Sequence, residues 1–400
     1  MRMKFNKSSQ LLLVSTVSLL VAGLLTACST LTVDFVYVTS AKAAGPNNYG
    51  EINVFEVNSE SGHMRQITTS PFPSGGRNPV AEAVSGDNST LYVVNQDDNT
   101  IVQFAIGNDG KIYPQNTVNT PGVFPLSLAV AGKFLYAVDT FQPLPTCSNA
   151  SPCSGSIAVF PIKTDNSLQT PVTNTSISAN YWPLVLPGSP TDVMVPTSVA
   201  AAASGSYVYV TTYDATAGGG YIFGFTANSD GTLSALNNGV PFAAGVHPSA
   251  IISDHAGANV YVTDAGNSAI LGFQINSGLL TPLSGSPYKA GSRPSAIAID
   301  STGKFAYVTN SQDSNVGAYS ISNGNLTSIG AYATGSQPTA IGIDPSKNQF
   351  IYTANFLGNN VSGFELNASD GTLLNSQNSP YVSNALPTAV AAIPHGSPTK

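Results

Sequence analysis

Short runs of alternating apolar and polar residues fill most of this chain, and their order repeats. Residues 293–321 read RPSAIAIDSTGKFAYVTNSQDSNVGAYSI, and residues 337–366 read QPTAIGIDPSKNQFIYTANFLGNNVSGFEL. Both contain a proline, a small or aliphatic run, a turn, and a run with tyrosine between apolar residues. Alternation with period two is typical of β-strands, and no long helical pattern lies beyond the N-terminus. Each repeat is therefore predicted to contain four strands: PSAIAI, FAYVTN, NVGAYSI and a poorer stretch after Gly324.

The repeat occurs seven times, but its two landmarks are out of phase. The opening prolines are Pro79, Pro125, Pro196, Pro248, Pro294, Pro338 and Pro387. The matching tyrosines are Tyr37, Tyr92, Tyr136, Tyr209, Tyr261, Tyr307 and Tyr352. The first tyrosine has no proline before it, and the last proline has no tyrosine after it. A closed ring explains this offset because it leaves no sheet edge open. We therefore predict an all-β, seven-bladed β-propeller with four-stranded blades, closed by pairing of the C-terminal strand with the N-terminal strand.

Three stretches of this repeat resemble a known family. They are YVTN at 307–310, PSAIAID at 294–300 and SGSPYKAGSRP at 284–294. These stretches resemble the bacterial YVTN and lactonase-type seven-bladed propellers, which are also called 6-phosphogluconolactonase-like. The resemblance extends over 31–393 and implies the propeller fold, with lactone hydrolysis as an associated activity. The matching residues are those that build blades, so the resemblance is more specific for fold than for activity.

The N-terminal segment predicts export. A basic stretch precedes an apolar run over 11–25, and the run ends in LTAC at 25–28. This order is typical of a secretory signal, and its end resembles a lipobox whose Cys28 is lipidated. An ordinary signal peptide with a chance cysteine is the alternative. We expect the protein to be held at the cell envelope by one lipid anchor, facing the periplasm or the surface. The predicted divisions are a signal at 1–27, a tether at 28–33, the propeller at 34–393 and a tail at 394–400.

The composition limits the kinds of molecule that the protein is expected to bind. Only 9% of residues are charged, the net charge is −7 and the pI is about 4.9. The acidic balance argues against nucleic acid as a partner, because phosphate binding favours a basic stripe. We expect a monomer that binds a small molecule, a protein or a glycan, needs no cofactor or metal, and contacts the membrane only through its anchor. Cys147 and Cys153 are expected to form a disulfide, because export permits oxidation and the loop is short; a metal site is disfavoured without further ligands nearby.

Functional residues are expected where the repeats differ. The residue before each opening proline should lie at the mouth of the central funnel, and these rim positions are Asn78, Phe124, Val195, His247, Arg293, Gln337 and Leu386. His247, Arg293 and Gln337 place polar side chains on three consecutive blades. Arg293 is suited to hold a carboxylate, a phosphate or sugar hydroxyls, and His247 is suited to act as a general base. Simple solvation of polar loop residues is the alternative.

Two further residues break the repeat. Glu82 stands at a strand position where the other six units have Leu128, Val199, Ile251, Ile297, Ile341 and Val390. A buried carboxylate is costly unless it is paired, so Glu82 is predicted either to serve a ligand or to pair with Arg77 or with backbone amides. Trp182, the only tryptophan, lies in a long polar stretch over 163–195. It is predicted either to contact a ligand or partner, or to fill a gap between blades.

Two functions follow from these residues. Binding of a ligand or partner on the funnel face is the leading interpretation, because no complete catalytic set is visible. Lactone hydrolysis is the alternative that the resemblance implies. It would use His247 as base, Arg293 as oxyanion stabiliser and Glu82 as a second candidate base. The predicted ligand contacts, in either case, are Arg77, Asn78, Gln337 and Trp182.

Overall fold

The computed structural model describes residues 32–395 except 346 and 348, and its strands form seven sheets arranged as a seven-bladed β-propeller. The predicted fold is therefore confirmed. The predicted signal, Cys28 and the last five residues lie outside the described residues. Two short 3₁₀ helices, Gln96–Asp98 and Asn237–Gly239, lie in loops. Among the residues that the structure describes, no helix is long and apolar enough to cross a bilayer.

Each blade runs from an inner strand at the ring axis to an outer strand at the periphery. In blade 1 the strands are Pro387–Pro394, Thr32–Ala44, Tyr49–Asn58 and Met64–Gln66, with Phe72–Pro73 beside the third. In blade 2 they are Pro79–Val84, Thr90–Asn95, Thr100–Ile106 and Ile112–Asn119. In blade 3 they are Val123–Ala131, Phe134–Phe141, Ser156–Pro161 and Trp182–Pro183.

The remaining four blades follow the same order, and three of them add a two-residue strand beside the third. In blade 4 the strands are Met194–Ala201, Tyr207–Asp214, Gly220–Ala227, Leu233–Ala235 and Phe242–Ala243. In blade 5 they are Pro248–Ser253, Asn259–Asp264, Ala269–Asn276, Leu279–Pro282 and Tyr288–Lys289. In blade 6 they are Pro294–Ile299, Phe305–Asn310, Asn315–Ser322 and Asn325–Ala333. In blade 7 they are Pro338–Ile343, Phe350–Asn355, Asn360–Leu366, Leu373–Asn375 and Tyr381–Val382.

Blade 1 closes the ring as predicted. The C-terminal strand Pro387–Pro394 pairs antiparallel with Thr32–Ala44, and Ala391 lies opposite Tyr37. Blade 6 has the same register, with Ala298 opposite Tyr307. Both ends of the propeller are therefore held in one sheet, and neither leaves an inner edge unpaired.

Six of the seven repeated tyrosines fasten their blade to the next one by a hydrogen bond. All seven are fully buried. In five blades the hydroxyl donates to a backbone carbonyl in the turn that follows the third strand of the next blade, at 2.7–3.1 Å. The donor–acceptor pairs are Tyr37–Gly110, Tyr92–Asn166, Tyr209–Gly278, Tyr261–Gly324 and Tyr307–Gly371. At the closure, Tyr352 donates instead to the Asp34 carboxylate at 3.2 Å.

A second set of hydrogen bonds joins the inner strands. In four blades the hydroxyl after the opening proline donates to the carbonyl of the next blade's opening proline. The pairs are Ser249–Pro294, Ser295–Pro338, Thr339–Pro387 and Thr388–Pro79, at 2.6–3.4 Å. Blades 2 and 3 have Val80 and Leu126 at this position and cannot donate. In blade 4, Thr197 donates to Thr211 within its own sheet. We call these four bonds the inner hydroxyl series.

Candidate functional site

The face on which the inner strands begin, here the rim face, is built by a motif that repeats around the ring. In five of the seven blades, a glycine three residues before the opening proline packs on an Asn or Asp side chain at or near the end of the second strand of the same blade. A Cβ on Gly291 would lie 2.6 Å from Asn310, and one on Gly122 would lie 2.4 Å from Asp139. The amides of both glycines donate to these side chains, at 3.1 Å. At these two positions glycine is required, because a Cβ would overlap the packed side chain.

The rim positions themselves have an unusual backbone. Five of the seven have φ between +52° and +61°: Asn78, Phe124, Arg293, Gln337 and Leu386. Residues before proline normally adopt extended conformations, so these values store strain that the surroundings must offset. Part of that support is visible, since the Arg293 carbonyl accepts from the Ser311 amide at 3.0 Å and the Gln337 carbonyl from the Phe356 amide at 2.8 Å. The rim side chains therefore start from fixed backbone positions.

Arg293 and Gln337 share one pocket on the rim face, between blades 6 and 7. Its volume is about 450 Å³, and its lining residues are Arg293, Ser311, Gln312, Ser314, Ser336, Gln337 and Leu357. The Arg293 guanidinium has no hydrogen bond or ion pair among the described residues. Asp313 lies in the same loop, but its carboxylate accepts from the Ser292 amide at 2.7 Å, which lowers its pKa below the usual range. The pocket therefore combines an unpaired cation with amides and hydroxyls.

His247 lies at a separate place on the rim, outside this pocket. Its ring stacks on Tyr213 of blade 4, with centroids 4.2 Å apart and an interplanar angle of 23°. The side chain is exposed, and its ring nitrogens form no hydrogen bond with the described residues. Its backbone amide donates to Asp264 at 2.9 Å. The polar side chains predicted on three consecutive blades therefore form two separate features, the pocket at Arg293 and the stacked imidazole of His247.

Arg77 and Asn78 are already engaged with acidic residues of blade 2. The Arg77 Nε and backbone N donate to the two oxygens of Asp98, each at 2.7 Å. The Asn78 amide donates to Asp97 at 3.1 Å and to Gln96 at 3.2 Å. Arg77 therefore differs from Arg293, whose guanidinium has no such partner.

Glu82 faces the joint between blades 1 and 2, and its predicted pairing with Arg77 is wrong. Arg77 pairs with Asp98, and both carboxylate oxygens of Glu82 are shielded from solvent without a hydrogen-bond partner. The Ala391 amide of blade 1 is near enough to act on the carboxyl but makes no hydrogen bond of acceptable geometry. Burial raises the pKa of Glu82 well above its ordinary value. The carboxyl is closed to a ligand on the rim face.

Trp182 lies in the core. It forms the short outer strand of blade 3, is 7% exposed, and packs in an apolar cluster with Ile157, Leu184 and Met194. Of the two predicted roles, it fills the gap between blades, because a ring so enclosed presents almost no surface to a ligand. The predicted disulfide is present, with the Cα atoms of Cys147 and Cys153 5.5 Å apart.

The sequence reasoning missed the residues that complete the pocket. Ser311, Gln312, Ser314 and Leu357 come from the loops between the second and third strands of blades 6 and 7. The signal in the sequence that could have found them is the run of polar residues in these loops. The sequence reasoning also missed several buried polar atoms in blades 2–4 that have no hydrogen-bond partner among the described residues. They belong to residues that include Asn95, Thr100, Asp139, Ser156 and Thr212. No group of three or more His, Cys, Asp or Glu within the described ranges is placed to hold a metal.

A comparison with protein families shows which family this chain belongs to. The model described as "Lactonase, 7-bladed beta-propeller" matches residues 35–391. This chain belongs to that family. Among curated proteins, no relative matches the lactonase-family chain. The family match shows the ancestry and fold of the propeller, and it leaves the reaction to be argued from the rim face.

Solved structures show the same fold at low identity. A periplasmic gluconolactonase from Pseudomonas aeruginosa is 16% identical with a TM-score of 0.71, and the match covers 92% of this chain and all of that one. A Bacteroides uniformis protein provisionally assigned as a 6-phosphogluconolactonase is 18% identical with a TM-score of 0.72, covering 90% and 100%. Hydrazine synthase from Kuenenia stuttgartiensis is 15% identical with a TM-score of 0.57, covering 83% and 97%. Proteins of different named activity thus share this architecture.

Proposed function

We propose that this lactonase-family propeller binds a small hydroxylated molecule with an anionic group, in the pocket at Arg293. The observation that carries the proposal is the Arg293 guanidinium, which lines a pocket of about 450 Å³ and has no partner among the described residues. A guanidinium binds carboxylate and phosphate groups in a bidentate manner. Here it would act from a fixed position, because its backbone φ of +53° is held by the Ser311 amide.

The rest of the pocket suits the hydroxyl groups of the same molecule. Gln312 and Gln337 offer both donors and acceptors, and three serines line the space between them. Leu357, which is 59% exposed, gives one apolar wall. A sugar acid or its lactone has the required size, hydroxyls and oxygen acceptors for such a lining.

Lactone hydrolysis is the second candidate, and the family match favours it. Ring opening needs a base to activate water and a positive group to stabilise the oxyanion. Arg293 is suited to the second role. His247 is the candidate base because its ring nitrogens form no hydrogen bond with the described residues, although it lies outside the pocket lining. Glu82, the other candidate base, would need a rearrangement of blades 1 and 2 to meet a substrate.

Calorimetric titration with gluconate tests the binding proposal. Arg293→Ala should reduce affinity at least tenfold because it removes the charge that recognises the anion. Arg77→Ala is the matched control, since it removes a rim-face arginine that Asp98 already neutralises, and it should bind as the parent does. Equal affinity in the parent and Arg293→Ala, or no binding of any sugar acid or sugar phosphate, would refute the proposed site.

A pH-indicator assay on a panel of sugar and acyl lactones tests the second candidate. Turnover above the spontaneous rate, lost in both Arg293→Ala and His247→Ala but kept in Arg77→Ala, would support hydrolysis at this face. Binding without turnover on any lactone would support the binding function alone.

Export and anchoring at Cys28 belong to the same proposal, because extracytoplasmic ligands would then be the relevant ones. The basic and apolar N-terminal segment followed by LTAC supports it. Fractionation of cells that produce the full chain should place the parent with membranes and Cys28→Ala in the soluble envelope fraction. Identical fractionation of the two proteins would contradict lipidation.

A further inference from the structure

A second cavity lies at the joint between blades 2 and 3, on the face opposite the rim. Its volume is about 310 Å³. The second, third and fourth strands of blade 2 form one side, and the turn at 165–167 of blade 3 forms the other. It shares no residue with the pocket at Arg293. Its volume lies at the lower end of the range for small-molecule sites, roughly 300–1,000 Å³.

Gln103 is the residue that sets this cavity apart from the repeat. It lies opposite the repeated tyrosine of its blade, where the other blades have Val54, Val159, Gly224, Gly272, Ala318 and Gly363. Gln103 is only 2% exposed. Its side-chain oxygen accepts from the Leu168 amide at 3.0 Å, whereas its Nε2 is buried and has no hydrogen-bond partner in the part of the chain that the structure describes. Such a donor is costly to bury unless something accepts from it.

The opposite wall is held rigidly. Asn166 has φ of +65°, its amide donates to Asp87 at 2.9 Å and to Ser89 at 2.8 Å, and its carbonyl accepts from the Tyr92 hydroxyl at 2.7 Å. Although partial burial acts to raise the pKa of Asp87, hydrogen bonds from Ser85, Ser89 and Asn166 lower it to about 2. The wall is therefore formed before any ligand arrives, which reduces the entropy cost of binding.

The lining selects one class of ligand. No lysine or arginine lines the cavity, and its one lining carboxylate, Asp165, disfavours an anion. The buried N–H of Gln103 requires an oxygen acceptor, and the amides of Gln115 and Asn116 can pair with hydroxyls. Ala105 and Ile106 add an apolar surface. We propose that this cavity binds a neutral polyhydroxylated molecule of monosaccharide size, independently of the pocket at Arg293.

Proton–nitrogen NMR tests this proposal, because the Gln103 side-chain NH₂ gives its own signals. The probes are methyl α-D-glucopyranoside and N-acetylglucosamine as neutral sugars, with sodium gluconate as the charged comparison. We expect saturable shifts of the Gln103 NH₂ and of the Ser167 and Leu168 amides with a neutral sugar, at least tenfold weaker with gluconate. Gln103→Leu should abolish the response.

Further variants separate a lost ligand contact from a lost fold. Asn116→Ala changes an exposed lining residue without touching the core and should weaken binding several-fold. Gln274→Ala, at an exposed position of the third strand of blade 5, should bind as the parent does. The proposal is overturned if neither neutral sugar gives saturable shifts at these signals, if gluconate binds equally well, or if Asn116→Ala and Gln103→Leu respond as the parent does.

Discussion

Glu82 gives the sharpest prediction about stability, because its carboxyl is buried without a partner. Replacement by leucine restores the aliphatic character of this position in the other six blades. Removal of an unsatisfied buried polar group should raise the free energy of unfolding by about 1–3 kcal/mol at a pH where the carboxyl is neutral. This gain should be visible at pH 4.5 or below.

The gain from Glu82→Leu should grow as the pH rises. Because burial raises the pKa of Glu82 in the folded protein, its contribution to stability is fully present below the ordinary value of 4.5. As the pH rises above that value, the unfolded chain loses the proton while the folded chain keeps it. Stability then falls by about 1.4 kcal/mol per pH unit until the folded pKa is passed. Between pH 5 and 7 the parent should therefore lose up to about 3 kcal/mol relative to the variant.

Urea unfolding followed by far-UV circular dichroism at pH 5, 6 and 7 measures this difference. Asp34 and Asp139, whose pKa values burial raises to about 8 and about 7, contribute equally to parent and variant and cancel. Glu82→Gln is the control: it should lose the pH-dependent part but gain less at pH 5, because the buried amide remains polar. A difference between Glu82→Leu and the parent that is the same at pH 5 and pH 7 would refute the reasoning.

Three further outcomes are expected. Tyr307→Phe should lower the free energy of unfolding by about 1–2 kcal/mol, because the Gly371 carbonyl loses its donor at 3.0 Å. Tyr136→Phe should change it little, because the Tyr136 hydroxyl has no such bond among the described residues. Equal losses in the two variants would contradict the fastening role. Replacement of Cys147 and Cys153 by serine should cost at most about 2 kcal/mol in thermal or urea unfolding, because the disulfide closes a loop with a sequence separation of only 6. Gly291→Ala should destabilise by more than Gly86→Ala, since a Cβ at 291 meets Asn310 at 2.6 Å whereas one at 86 meets nothing within 4 Å, and a reversed order would show that the close packing does not matter.

Most of the fold could be predicted from the sequence because the repeat shows it seven times over. The proline and tyrosine landmarks located the strands, and their phase offset located the closure between Thr32–Ala44 and Pro387–Pro394. The long stretch over 163–195 was harder, because a single tryptophan in a polar loop gives no period. Only the structure shows Trp182 completing the sheet of blade 3.

The candidate site could be predicted only in part, since its geometry depends on backbone angles and on neighbours. Arg293 and Gln337 were placed on the rim by spacing, and the structure brings them into one pocket. Their left-handed backbone was not predictable, because a residue before proline normally avoids it. Arg77 lies two residues before Pro79 and Arg293 directly before Pro294, but this spacing does not show which of them is paired. Only the position of Asp98 distinguishes a neutralised cation from an unpaired one.

The inner hydroxyl series bears on where the ring would first come apart. Its four bonds connect blades 5, 6, 7, 1 and 2 in succession, and that arc includes the blade in which the two chain ends meet. The three joints without such a bond, from blade 2 to blade 5, are crossed by unbroken chain. Unbroken chain also crosses the other four joints, because the two chain ends meet within the sheet of blade 1, so only the hydrogen bonds distinguish the two parts of the circle. The break in the polypeptide is not the mechanical weak point, and breathing of the ring should begin around blades 3 and 4, far from the termini.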